Sequence, residues 1–178
     1  MSPNFNFRLA TEEDAVPLER MINAAFQDDK SSHVFLTDDH SAINVTNAAG
    51  LKAKINQPDC AALAVTDAST GVIVAHCSVR KLDENRAWFG LLAVDSSYRK
   101  HGLGGRVLTW AEEYARREWA SSRLEFEVVN TRAELIAWYQ HRGYRTTGET
   151  SPFPYEHLEA WQGVLRDDLG FLNLGKDI

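Results

Sequence analysis

"LLAVDSSYRKHGLGGRVLTWAEEYARR", residues Leu91–Arg117, runs from an apolar stretch through a loop with three glycines into an amphipathic repeat. The apolar stretch reads as a buried strand. The repeat reads as a helix that sets Leu103, Val107, Trp110, Ala111 and Tyr114 on one face, with Arg106, Glu112, Glu113, Arg116 and Arg117 mostly elsewhere. Glycine between them serves either a tight turn or an anion cradle. Without a Cβ the backbone approaches a ligand closely, and the N–H groups that open a helix have no partner of their own.

Downstream, "RLEFEVV" (Arg123–Val129) is another strand, so strand, crossover helix and strand form a βαβ unit with parallel strands and a right-handed connection. Upstream, "CAALAVTD" (Cys60–Asp67), "VIVAHCSVR" (Val72–Arg80) and "RAWFGLLAVD" (Arg86–Asp95) read as three successive antiparallel strands joined by short turns. "FNFRLA" (Phe5–Ala10) is a first strand. The helix after it has Thr11 as N-cap and Asp14 in the capping-box position. "TRAELIAWYQHRGY" is a second late helix stopping near Gly143, and "YRTTGE" and "FLNLGK" resume extended structure. These elements predict an α/β fold, with a mixed, mostly antiparallel sheet of six or seven strands and helices on both faces. Residues 28–50 are an irregular excursion before a short helix near "LKAKIN" (Leu51–Asn56), and 150–170 an irregular, partly helical insert.

The 178 residues, 44% hydrophobic and 25% charged, fit a single domain over 1–178 with a continuous core. A net charge of −6 without a dense Lys/Arg block argues against nucleic acid or an anionic membrane as partner. The longest apolar run, "AWFGLLAV", is far short of the ~18–20 residues of a membrane span, and no leader pattern opens the chain, so a cytoplasmic protein is expected. Cys60 and Cys77 sit in strand-like runs with no Cys or His at ligand spacing. They read as buried free thiols, and no metal site is expected.

The glycine loop fits neither common nucleotide fingerprint. A dinucleotide motif needs a third glycine where Val107 stands, and a phosphate-binding Walker loop needs Gly-Lys-Ser/Thr. What is present is Arg99-x-x-Gly102-x-Gly104 between a strand ending at Val94 and a helix. With "LLAV" before it and "NTRAELIAWYQHRGYRTTGETSPFP" after it, this resembles the acetyl-CoA-binding motif and following motif of the GNAT N-acetyltransferase superfamily, over the chain from Val72 onward.

The resemblance implies that the fourth and fifth strands form a splayed parallel pair at the sheet centre. It implies acetyl-CoA as co-substrate, its pyrophosphate held by the loop from Arg99, Lys100, His101, Gly102, Leu103, Gly104 and Gly105 to Arg106. Its pantetheine would pair with the strand backbone at Leu92, Ala93 and Val94, where a backbone N–H serves as oxyanion donor. Asn130 matches the family's asparagine at the parting of the strands, and Tyr139 the tyrosine that protonates the leaving sulfur.

An alkyl ammonium, with a pKa near ~10.4, has no lone pair at neutral pH, so acyl transfer to an amine calls for a base as well as an acid. Many relatives carry a glutamate on the fourth strand where this chain has Trp88. Glu84, Glu127, His76 and the Asp38, Asp39, His40 run remain candidates. Glu125 and Glu127 also read as an ordinary polar sheet face, His76 as a core histidine, and Tyr139 as a core tyrosine.

An acceptor side lined by Phe35, Trp88, Phe89, Phe153, Tyr155 or Trp161, with Asp38, Asp39 or Asp168 drawing an amine, is expected from the variable segments. The function expected is acetyl transfer to a primary amine of a small molecule or peptide, by a monomer or homodimer. A coenzyme A-binding module that lost catalysis with the strand-four glutamate is the alternative.

Overall fold

A computed structural model describes residues 4–28, 44–153 and 167–178. One sheet of seven strands runs through it, in the order β1-β2-β3-β4-β5-β7-β6. The strands are β1 (Phe5–Leu9), β2 (Cys60–Asp67), β3 (Ile73–Lys81), β4 (Arg86–Val94), β5 (Arg123–Val129), β6 (Arg145–Pro152) and β7 (Gly170–Asp177). All neighbours pair antiparallel except β4 and β5, which are parallel, as the crossover requires. The helices are α1 (Ala15–Gln27), α2 (Ala48–Ile55), α3 (Leu103–Trp119) and α4 (Ala133–Gln140).

Period-two alternation decides which face each strand gives to which helices. Cys77 and Val79 of β3, Ala87 and Phe89 of β4 and Leu124, Phe126 and Val128 of β5 form one face, packed with Leu103, Val107, Leu108, Ala111 and Ala115 of α3 and Tyr139 of α4. The opposite face meets Leu18 and Ile22 of α1 and Leu51 of α2. The seam of α3 differs from the sequence expectation at two positions. Leu108 and Ala115 are buried, whereas Trp110 and Tyr114 stack on each other at 4.9 Å on the helix flank, half-exposed.

Local chemistry sets the helix ends. At the first turn, the Thr11 N–H donates to Asp14 Oδ2 at 2.8 Å, and Arg8 from β1 grips the same carboxylate through both ends of its fork at 2.6 and 2.8 Å. The Arg8 guanidinium, foremost, holds the Asp14 carboxyl down to about 2. Gly143, at φ +91°, turns the chain out of α4.

The sheet parts at its centre. β4 and β5 pair only through Arg86–Arg123, Ala87–Leu124 and Trp88–Glu125. Beyond Trp88, β4 stays on β3 and β5 stays on β7 to Val129, leaving a wedge between them. Within it β4 bulges: Ser78 faces Gly90 but His76 faces Ala93, and Leu91 adopts φ +51°, a left-handed conformation rare for a bulky residue. The extra residue swaps faces, so Phe89 and Leu92 both pack on the α3 side while Ala93 packs against α1.

His76 is fully buried in β3. Its Nδ1 lies 2.8 Å from the Leu63 carbonyl, which only accepts, so Nδ1 carries the hydrogen and Nε2 accepts from Ser78 Oγ at 3.1 Å. Burial pushes the imidazole down to about 4. A neutral histidine folded against an unfolded value near ~6.5 gives stability that is complete above pH 6.5 and lost as pH falls towards 4. Urea denaturation is therefore expected to show a loss of roughly 2 kcal/mol between pH 7 and pH 5 that His76→Asn removes. Asp14 acts in a separate window, between the ordinary carboxylate range and about 2, so a flat wild-type profile from pH 7 to 5 contradicts the assignment.

Candidate active site

The wedge opens into a groove of about 630 Å³ bounded by Leu92, Ala93 and Val94 of β4, Arg99, Gly102, Gly104 and Gly105 of the loop, and Thr131–Leu135, Trp138 and Arg142 around α4. Gly102 is the N-cap of α3 and sits at φ +68°, where any side chain is strained. That conformation ends the short 3-10 turn Ser96–His101 and swings the chain into the helix. Leu103, Gly104 and Gly105, the first residues of α3, have no intrahelical acceptor for their N–H groups. Their N–H groups and the positive helix end make the groove floor suited to an anion.

Arg99 is spent on the wall. Its Nη2 donates to the Ala25 carbonyl at 2.7 Å, its Nε to the Val94 carbonyl at 3.3 Å, and Asp28 lies at 3.5 Å, so it ties the end of α1 to the end of β4. Arg142, which sequence reasoning missed, stands opposite. Its guanidinium stacks on Trp138 at 3.8 Å and lies against Gly105, where an added Cβ would come within 3.3 Å of Nη2. The available signal was its position four residues after Trp138, one turn along the same helical face.

Several expected side chains are not among those bounding this groove. Lys100 and His101 are exposed on the 3-10 turn, and Leu103 offers its backbone N–H while its side chain is fully buried in the core. Arg106 lies over Phe5 and Phe7, at 5.4 and 4.9 Å, and borders an adjoining groove of about 540 Å³. Both ends of the Asn130 amide are engaged, Nδ2 donating to the Asp168 carbonyl at 3.2 Å and Oδ1 accepting from the Gly170 N–H at 3.1 Å. Asn130 therefore pins β5 to the start of β7, with one N–H of its amide not used by these two bonds.

A second cavity of about 350 Å³ adjoins the first on the other side of the wedge, sharing Phe26, Leu92, Arg132 and Leu135 with it. Trp88, Phe89, Glu127, Phe153 and Tyr139 line it. Tyr139 is 4% exposed, packed at 4.3 Å on Phe126 and 4.9 Å on Trp138, and its hydroxyl has no hydrogen-bond partner among the described residues. Burial drives its pKa far above the ordinary value, so it is protonated at neutral pH.

Of the candidate bases, His76 is excluded from this cavity by its burial and its two hydrogen bonds. Glu84 is in the exposed β3–β4 turn, and Glu125 is held by Arg123 at 2.6 Å and Arg86 at 3.4 Å. Glu127 alone among the described candidates lines the cavity, with Ser151 Oγ donating to it at 2.8 Å. Phe35, Asp38, Asp39, His40, Tyr155 and Trp161 lie outside the described residues. Cys77 is buried, Cys60 is only half-buried, and both are free thiols.

An open strand edge leading to a helix N-terminus, beside a second cavity, can hold an extended anionic ligand next to a second substrate. The chain belongs to the acetyltransferase (GNAT) family, whose sequence model matches residues 29–144. It is accordingly an N-acetyltransferase, of a family that generally uses acetyl-CoA as co-substrate.

Solved structures agree on the fold. Nourseothricin acetyltransferase is 20% identical over 97% of this chain and 98% of its own, with a TM-score of 0.68. The ribosomal-protein-S18-alanine N-acetyltransferase from Escherichia coli is 15% identical over 98% and 94%, at 0.70. Ard1 from Thermoplasma volcanium is 17% identical over 98% and 97%, at 0.67. No match was found among curated protein sequences.

The residues present suit an anionic, extended coenzyme. The Thr131 hydroxyl, in a residue of the groove wall, is buried without a hydrogen-bond partner among the described residues, an omission that calls for an explanation such as a polar group bound nearby. The glycine floor and the Arg142 guanidinium supply the cationic end, and the unpaired edge of β4 supplies amide partners. No helix of the described residues is long and apolar enough to cross a membrane.

Proposed function

We propose that the protein acetylates a primary amine of a small molecule or peptide by direct attack of the amine on acetyl-CoA within the β4–β5 wedge. The observation that carries this is the position of Tyr139 in the cavity that meets the coenzyme groove, whose lining also includes Trp88 and Glu127. Acetyl-CoA supplies an acetyl thioester whose carbon takes the amine and whose sulfur leaves as thiolate.

The protein's residues hold and move protons around that exchange. The N–H groups opening α3 fix the diphosphate, and the edge of β4 at Leu92–Val94 aligns the pantetheine arm. A backbone N–H at the Leu91 bulge faces the carbonyl oxygen as charge develops there. Glu127 accepts a proton from the incoming ammonium, directly or through water, in place of the glutamate that Trp88 displaces. Tyr139, kept protonated by its apolar surroundings, donates to the departing sulfur. Retention of Tyr139 in the cleft favours catalysis over the alternative of a silent coenzyme-binding module. The enzyme is assigned to the cytoplasm, as a monomer or homodimer with no nucleic acid or membrane partner, on its net charge of −6 and lack of a long apolar run.

Thiol release with an accepted amine, followed against pH, tests the base. Glu127→Gln is expected to lower kcat/KM by about 10²-fold at pH 7 and by less as pH approaches the amine pKa, where free amine needs no base. A variant with the wild-type profile removes Glu127 from the mechanism.

A further inference from the structure

The cavity beyond Tyr139 is bounded by both signs of charge. Glu127 lines it from β5, and Lys54 lines it from the last turn of α2. Arg80 of β3 does not line the cavity itself, but it is near enough to Lys54 that the two repel, and its guanidinium lies 5.7 Å from the centre of the Trp88 ring, which does. Neither cation has a carboxylate partner among the described residues, and neither makes a hydrogen bond there. Burial, with Arg80 adding to it, lowers the Lys54 pKa from its ordinary value. Two cations with no carboxylate partner among the described residues, beside an apolar wall, favour an anion there.

Trp88 fixes where that anion sits. Its indole lies across Gly90, two residues along the same face of β4, so closely that a Cβ at Gly90 would overlap the ring. The ring is thus flanked by Gly90 and Arg80 and forms part of the cavity wall. At about 350 Å³ the cavity is at the small end of the range for ligand sites, suited to a molecule of amino-acid size.

We propose that the acceptor is a free amino acid, its amine directed to Glu127 and Tyr139 and its carboxylate held by Lys54 and Arg80 beside Trp88. This rests on the transfer reading above and adds the substrate class to it. A lone amine gains nothing from the cations, and a peptide amino terminus lacks the nearby carboxylate.

The test uses acetyl-CoA with the protein amino acids, their carboxamides and short peptides, reading thiol release and acetylated product. At least one amino acid is expected to be acetylated with a kcat/KM roughly tenfold or more above that of its carboxamide, as for loss of a charged hydrogen-bonding pair. The amide's more acidic ammonium favours it chemically, so a carboxylate preference runs against intrinsic reactivity.

Lys54→Met and Arg80→Met are expected to collapse the carboxylate-to-amide ratio towards one through KM, and Lys54→Arg to restore it. Both side chains are exposed, so loss of fold is not expected from either change. Equal use of amides or a preference for peptides, with ratios untouched in the variants, overturns the acceptor assignment and leaves acetyl transfer standing. Bound acetyl-CoA with no release to any amine overturns both.

Discussion

Tyr139→Phe is expected to lower kcat by about 10²- to 10³-fold, within the range for loss of a positioned proton donor, with acetyl-CoA affinity nearly unchanged. The separation follows from geometry. Tyr139 lines the second cavity and not the groove that holds the loop glycines, so removing its hydroxyl leaves the diphosphate cradle intact. Stability should change little, because the hydroxyl has no hydrogen-bond partner to lose among the described residues and the ring packing on Phe126 and Trp138 is retained. Steady-state kinetics with calorimetric acetyl-CoA titration checks both halves. An unchanged kcat assigns Tyr139 to the core alone, and a parallel loss of affinity places it on the coenzyme instead.

Gly104→Trp is expected to weaken acetyl-CoA binding by at least about 100-fold, roughly 2.7 kcal/mol. Gly104 is the second residue of α3, and a Cβ there would meet Trp138 at 3.6 Å and Val94 at 3.8 Å, ordinary contacts with two walls of the coenzyme groove. Gly104→Ala therefore fits, and with alanine's better helix propensity, worth up to ~1 kcal/mol, it serves as the folded control. An indole at the same position fills the space the coenzyme needs. Calorimetry alongside thermal melts separates lost binding from lost fold. A folded Gly104→Trp variant with wild-type affinity would mean that the three glycines serve the turn alone.

These two predictions rest on features of different legibility. Alternation from Cys60 to Val94, and the glycine break between strand and helix, are local signals with a direct physical cause, and they placed β2, β3, β4 and α3 correctly. The bulge at Leu91 has no such signature, because a leucine at positive φ is held there by the pairing of its neighbours Gly90 and Ala93 with β3 and not by its own preference.

Side-chain roles were harder still. Asn130 and Arg106 occupy the expected positions, yet one is drawn to the start of β7 and the other to the rings of β1. Both partners lie far away in sequence. Arg142 and Lys54 were overlooked because exposed-looking charges on short helices read as solvated, and only the folded sheet brings them to the wedge. The ambiguity at His76 was resolved by depth: full burial with both ring nitrogens engaged leaves no role in proton transfer.

Trp88 ties the catalytic and specificity questions together. In the proposed mechanism the proton-accepting role passes from the position of Trp88 to Glu127, across the wedge. Because Gly90 lies under its ring, it also makes one wall of the acceptor cavity.

The central claim, transfer of acetyl from acetyl-CoA to an amine inside the wedge, is tested most directly by product stoichiometry. Wild-type protein is incubated with isotopically labelled acetyl-CoA and the amine panel, and coenzyme A thiol and labelled acetyl-amine are quantified together. The account predicts one acetylated amine per thiol released, saturable in both substrates. Thiol without labelled amine would show hydrolysis, saturable binding without thiol would show a coenzyme-binding module, and either result would contradict it.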